Sequence, residues 1–261
     1  MTRIGRRAPM VVRPLQRKDV PVMVTATAHP LSVEATPDPR LTRWMWLVKW
    51  ILAIPHYIVL FPLHIAFVLL SVIAFFSILI TGSYPRRLFD FNVGVIRWST
   101  RVTYYCSAVM ATDEYPPFTL RETPGYPIRV DMVYPQQLSR GLVLVKWLLV
   151  VPQLLVITLL LTSGRRAYQY LDDYSPLSSG LVGLLSLVAM VILTCTGSYP
   201  RGLFDLLVGL MRWMLRVLVY ASLMTDEYPP FRLDLGGGEP LAGAVEPVVG
   251  GDTQGAPDPL P

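Results

Sequence analysis

TDEYPPF occupies Thr112–Phe118 and returns, letter for letter, at Thr225–Phe231. Sliding the chain along itself shows that this phrase closes a longer duplication. VKW at Val48–Trp50 matches VKW at Val145–Trp147, an offset of 97 that also pairs Pro30 with Pro127, Arg43 with Arg140 and Pro55 with Pro152. TGSYPRRLFD from Thr81 matches TGSYPRGLFD from Thr196, an offset of 115. Two tandem repeats therefore share one plan. The second carries 18 extra residues, which lie within TSGRRAYQYLDDYSPLSSG, Thr162–Gly180.

The alphabet of both repeats suits lipid. Of 261 residues 52% are hydrophobic and 16% charged, and the mean hydropathy is +0.45, more apolar than a typical soluble domain. Lys49 is the one full charge between Trp44 and Thr81, while Leu142–Thr162 and Leu181–Thr196 are nearly free of charge. Apolar runs of about 20 residues match a hydrocarbon core of about 30 Å. The expected fold is mainly α: a polytopic membrane protein of two tandem repeats. Each repeat would hold a transmembrane helical hairpin and an amphipathic helix, with short β-strands flanking the repeats.

The hairpin follows from length. As one helix Trp44–Thr81 would run to about 57 Å at about 1.5 Å per residue, so a tight turn is expected near Phe61-Pro62-Leu63-His64. The polar insertion then becomes the matching loop in repeat two, because unpaired loop backbone is not tolerated in lipid. Alternating polarity in HPLSVEATP from His29, YPIRVDMVYP from Tyr126 and PFRLD from Pro230 predicts strands.

A helix is expected after each GSYPR. Asp90, Gly94, Arg97, Arg101 and Tyr105 fall on one line of the first, and Asp205, Gly209, Arg212, Arg216 and Tyr220 on one line of the second. Steps of three and four keep each set within an arc of roughly 80°. These polar stripes lie either at the membrane interface or across the membrane facing protein. With stripe helices at the cytoplasmic surface there are four crossings, and 19 of the 23 Lys and Arg are cytoplasmic against two, Arg165 and Arg166, on the far side. That split obeys the positive-inside rule. It places both termini in the cytoplasm and Arg165–Asp173 outside.

The domain plan is a basic cytoplasmic tail (1–28), repeat 1 (29–120), repeat 2 (121–234) and a Gly- and Pro-rich tail (235–261) expected to be disordered. Asp113 and Glu114, like Asp226 and Glu227, sit at a helix C-terminus, where the macrodipole disfavours anions. They are expected to form structural ion pairs with Arg86, Arg87 and Arg201. Arg97 with Arg101, and Arg212 with Arg216, are one turn apart, so each pair could offer two guanidinium forks to a phosphate of anionic lipid. Cys106 and Cys195 stand singly in apolar segments and read as small core residues.

LVKWLLVVP, GSYPRRLFDFNVGVIRW and TDEYPPF together resemble an uncharacterised family of bacterial, mainly actinobacterial, membrane proteins, domain of unknown function 4389, here in two tandem copies. The resemblance covers roughly Pro30–Asp234. It implies a fold and a membrane address, and supplies no activity, cofactor or catalytic residue. Repeat two departs from the fuller motif at Gly202, Leu206 and Leu207, which stand for Arg87, Phe91 and Asn92.

Three function classes compete. An enzyme is disfavoured, since no HExxH, P-loop, dinucleotide fingerprint or Ser-His-Asp context is present. His56 has Gln153 as its repeat mate, and His64 falls at the expected turn. No catalytic residue, metal site or cofactor is expected, and nothing points to nucleic acid. A small transporter or channel subunit would need a homo-oligomer to enclose a pore. A scaffold or accessory protein at the cytoplasmic leaflet, binding anionic lipid or a membrane-protein partner, accounts for the basic tail and the arginine stripes.

Overall fold

The computed structural model describes residues 29–39, 41–161, 180–231 and 233. Both tails, the insertion and part of PFRLD lie outside the described residues, so the expectations for them do too. Seven elements follow in order: β1 (Leu31–Ala35), α1 (Trp46–Thr81), α2 (Arg86–Cys106), β2 (Ile128–Met132), α3 (Arg140–Leu161), α4 (Leu181–Thr196) and α5 (Arg201–Ala221). The protein is mainly helical, with one small antiparallel sheet.

The turn expected at Phe61–His64 is not there: α1 runs unbroken for 36 residues with Pro55 and Pro62 inside it. Residues 61–64 contain no Gly, Asn or Asp to take a left-handed turn. Pro62 removes only one backbone donor, whereas a full turn would strip several groups of partners among apolar side chains. The helix ends at Gly82, whose φ of 75° lets its N–H reach Ile78 O at 2.8 Å. Gly197 repeats this at the end of α4, with φ of 73° and a bond to Leu193 O at 2.8 Å.

Nor does the insertion join two antiparallel limbs. Gly180 N–H donates to Leu161 O at 3.0 Å, so α4 starts against the last residue of α3. A Cβ on Gly180 would lie 2.2 Å from the Leu161 carbonyl carbon. By the two repeat offsets Leu161 matches His64 and Gly180 matches Ile65, which are chain neighbours within α1. α3 and α4 are the two halves of a second α1, interrupted where the 18 extra residues enter.

α2 packs back along α1, and α5 along α3 and α4. Ala53 lies in one cluster with Trp98, Val102 and Tyr105, and its repeat mate Val150 with Trp213, Val217 and Tyr220. α1 and α3–α4 run antiparallel. At one end Phe75 stacks on Trp147 at 5.3 Å and Leu138 N–H meets Gly82 O at 2.9 Å. At the other Trp46 Nε1–H donates to Thr194 Oγ1 at 3.2 Å.

The sheet joins the repeats. β1 pairs with β2 in the register Leu31↔Met132, Val33↔Val130, Ala35↔Ile128. Since the strands are repeat mates at offset 97, this register is symmetric about Val33 and Val130 and defines a pseudo-twofold axis perpendicular to the sheet. The flanking bonds obey it: Thr36 N–H to Pro127 O and Val133 N–H to Pro30 O are both 2.9 Å. The strands are also exchanged, because β2 rests on α2 of repeat 1 and β1 on α5 of repeat 2. On α2 Arg97, which bonds β2, lies about 140° and 160° around the helix from Asn92 and Ser99, which bond Ser71 and His64 of α1. The order along the axis is sheet, then α2 and α5, then α1 and α3–α4.

Candidate functional site

Each TDEYPPF closes over a buried lysine of its own repeat. The chain leaves α2 and α5 through left-handed residues, Met110 at φ 56° and Leu223 at φ 66°, a conformation costing about 1–2 kcal/mol without glycine. This turn drops the motif onto the first turns of α1 and α3. Thr112 Oγ1 then accepts Glu114 N–H, and Thr225 Oγ1 accepts Glu227 N–H, each at 3.1 Å. These local bonds aim the aspartate enclosed in each turn, Asp113 or Asp226, inward.

Lys49 Nζ meets Asp113 Oδ1 at 2.8 Å and donates to Thr112 O at 2.6 Å and Met110 O at 3.4 Å. Its three donors are thus used. Lys146 Nζ meets Asp226 Oδ1 at 2.6 Å and Thr225 O at 2.8 Å. The second carboxylate oxygen accepts a backbone N–H just ahead of each long helix: Thr42 at 2.5 Å and Ser139 at 2.7 Å. Tyr105 and Tyr220 lie 5.3 and 5.5 Å from the two ammonium groups. Burial, aided by the Asp113 charge, pushes the Tyr105 phenol up to about 12, so it stays neutral.

The rest of the motif clamps the same helices. Tyr115 and Tyr228 donate to Leu52 O and Leu149 O at 3.2 and 3.3 Å. Phe118 stacks on His56 at 4.0 Å, and Trp98 Nε1–H donates to His56 Nδ1. In repeat two Gln153 takes the place of His56 and donates to Pro229 O at 2.8 Å. Lys49 and Lys146 are 1% and 0% exposed. Such burial costs several kcal/mol per ion and is offset only by full pairing.

The expected ion-pair partners are therefore corrected. Asp113 and Asp226 pair with lysines, while Glu114 and Glu227 are exposed and make no ion pair among the described residues. Partial loss of water around its carboxyl nevertheless raises Glu227 above the usual carboxylate range. Arg86 pairs with Asp90 at 3.1 Å, and Arg87 and Arg201 are exposed. Within each repeat proximity decides it, since the SYPR arginines sit at the far end of the long helix from that repeat's motif, whereas the lysine lies in the first turns beneath it. The missed signal was present in sequence: one isolated cation in each apolar run and one acid repeated with it.

The stripe arginines turn inward to the protein. Arg97 Nε donates to Val130 O at 2.8 Å and its fork bonds Asp131 at 2.9 Å. Its repeat mate Arg212 donates from Nε to Val33 O, also at 2.8 Å. Arg101 bonds Arg121 O at 3.0 Å, Thr123 Oγ1 at 3.1 Å and Thr119 O. Arg101, Arg212 and Arg216 are buried, so the paired forks do not face a lipid phosphate. They hold the strands and the segment that follows TDEYPPF.

The family described as Domain of unknown function (DUF4389) matches residues 43–119 and 175–232, more than half of the chain. The chain belongs to this family. Its two matched regions each end on a TDEYPPF, and the second opens within the insertion, leaving α3 and Lys146 outside. The lysine contact nevertheless recurs there. No curated protein and no solved structure matches the chain.

Proposed function

We propose that this DUF4389 protein is a membrane-seated scaffold or accessory protein without catalysis of its own, presenting its polar side to lipid head groups or a protein partner at the cytoplasmic leaflet. The observation that carries this reading is the outward surface of the long helices. α1 and α3 are long and apolar enough to cross a membrane, and large residues such as Ile51, Ile58, Phe61 and Ile80 of α1 and Leu148 and Leu155 of α3 face outward. Soluble monomers rarely expose contiguous apolar patches larger than a few hundred Å².

Four crossings with both termini cytoplasmic rest on hairpins that this fold does not contain. Attraction to anionic lipid falls instead to the exposed Arg86, Arg87, Arg121 and Arg201, at about 1 kcal/mol for each near the surface. The alternative is an oligomeric transporter or channel subunit. An apolar cavity of about 400 Å³ between α1, α2 and α5, lined by Phe67, Val95, Met211 and Leu215 among others, is the interior such a subunit would have to extend.

Flotation of native membranes followed by lipid analysis of the purified chain tests this. Co-flotation, resistance to alkaline carbonate and loss of anionic lipid on changing the four exposed arginines to Gln are expected. Recovery in the soluble fraction would overturn the membrane role. A defined oligomer that conducts ions in planar bilayers would establish the alternative.

A further inference from the structure

We infer that α1 and α3–α4 lie in the plane of a single leaflet, with the pseudo-twofold axis along the membrane normal and the two-stranded sheet turned toward water. The inference rests on the membrane reading above and names how the surface meets its partner, the hydrocarbon of one leaflet.

Symmetry carries the argument. α1 and α3–α4 are repeat mates, and their end contacts make them antiparallel. Two rods exchanged by a twofold axis and running antiparallel must lie across that axis. If they crossed the bilayer, the axis would lie in the membrane plane and pass through mid-depth. Val33 and Val130 sit on the axis, so the whole sheet would sit at mid-depth with them.

The sheet cannot stay there. Glu34 and Arg129 face one another across it and both are exposed. Arg129 also reaches Glu122 and Asp131, with its side chain 52% exposed. Open charges near the bilayer centre are among the costliest placements a protein can make. Length gives the same answer independently: a 36-residue helix of about 54 Å would need a tilt of about 56° to fit a core of about 30 Å, beyond the usual range of 0–40°.

In the plane both conflicts vanish. Contacts order the layers along the axis as sheet, α2 with α5, then the long helices, so charge and hydrocarbon-facing surface fall at opposite ends of the normal. The deep layer presents apolar side chains: Lys49 and Lys146 are buried against Asp113 and Asp226, and Arg140, which is exposed, stands at the very first residue of α3.

The test uses the full chain in native membranes, with Cys106 and Cys195 changed to Ser. Arg87 and Gly202 are repeat mates, both exposed, and a Cβ on Gly202 meets nothing within 4 Å. In Arg87→Cys and Gly202→Cys an impermeant thiol reagent should label both sites from the same face, in vesicles of one orientation only. Spin labels at Ile51, Ile58, Ile73 and Ile80, all outward on α1, should report one common depth within a leaflet. Labelling of the two mates from opposite faces, or a depth profile that peaks at the middle of α1 and falls to both ends, would overturn in-plane seating while leaving membrane residence intact. Failure of these variants to float with membranes, when the parent chain also fails, would instead remove the membrane reading itself.

Discussion

Val33 faces Val130 across the sheet, and each has its carbonyl taken by an arginine of the other's repeat mate helix: Arg212 of α5 holds Val33 O and Arg97 of α2 holds Val130 O, both at 2.8 Å. The bonds at Thr36 and Val133 set the alternation of the ladder so that Val33 and Val130 form a non-hydrogen-bonded pair. At such a pair the carbonyls point away from the partner strand. A two-stranded sheet has only edges, and these guanidinium groups cover them where a third strand would otherwise bind.

Changing the cation without changing the charge should therefore loosen one strand at a time, and in the opposite repeat. Arg97→Lys is expected to speed amide exchange across Ile128–Met132, and Arg212→Lys across Leu31–Ala35. Each should cost about 1–3 kcal/mol for a lost charge-assisted bond to a buried carbonyl. Exchange measured by mass spectrometry checks it, and faster exchange confined to the mutated repeat's own strand would contradict strand exchange.

Asp113→Asn and Asp226→Asn each strand a lysine that is at most 1% exposed. A destabilisation of about 3–5 kcal/mol is expected for either. The double change Lys49→Met with Asp113→Leu should recover most of it, since it removes both charges together. Thermal unfolding in detergent reads both outcomes, and a mild effect of Asp113→Asn alone would mean the pair is dispensable.

Much of this was legible in the residues. The offsets of 97 and 115, the alternation in LSVEA and IRVDM, and the arginine spacing all translate local periodicity into elements. What composition could not supply is where the chain goes next. Polar TSGRRAYQYLDDYSPLSSG says that a loop leaves an apolar layer, but not that the chain re-enters on the same line at Gly180. The stripe spacing aligns Arg97 with Arg101, yet what they touch is set by a strand 33 residues away for Arg97. The Asp113 partner was hidden for a related reason: helix-end electrostatics says that a cation is wanted, and only the fold says that Lys49 is nearest.

Gly180→Ala probes the junction of α3 and α4. Its new Cβ would overlap Leu161, with 2.2 Å between heavy atoms, and overpacking of this kind costs about 1–3 kcal/mol. Gly202→Ala, which meets nothing within 4 Å, should instead stabilise by up to about 1 kcal/mol through helix propensity. Melting temperatures of the two variants in one detergent check this, and equal behaviour would place the ends of α3 and α4 apart.

The exchange of strands about Val33 and Val130 is tested most directly by joining them. In a chain with Cys106 and Cys195 changed to Ser, Val33→Cys with Val130→Cys should oxidise readily to an intramolecular disulfide in membranes, as cross-strand pairs at this position have close Cβ atoms. The off-register pair Val33→Cys with Met132→Cys should not. Efficient closure of the first pair alone, seen as a mobility shift without reductant, is the result this fold requires; failure of Val33 and Val130 to join, or equal joining of both pairs, would contradict it.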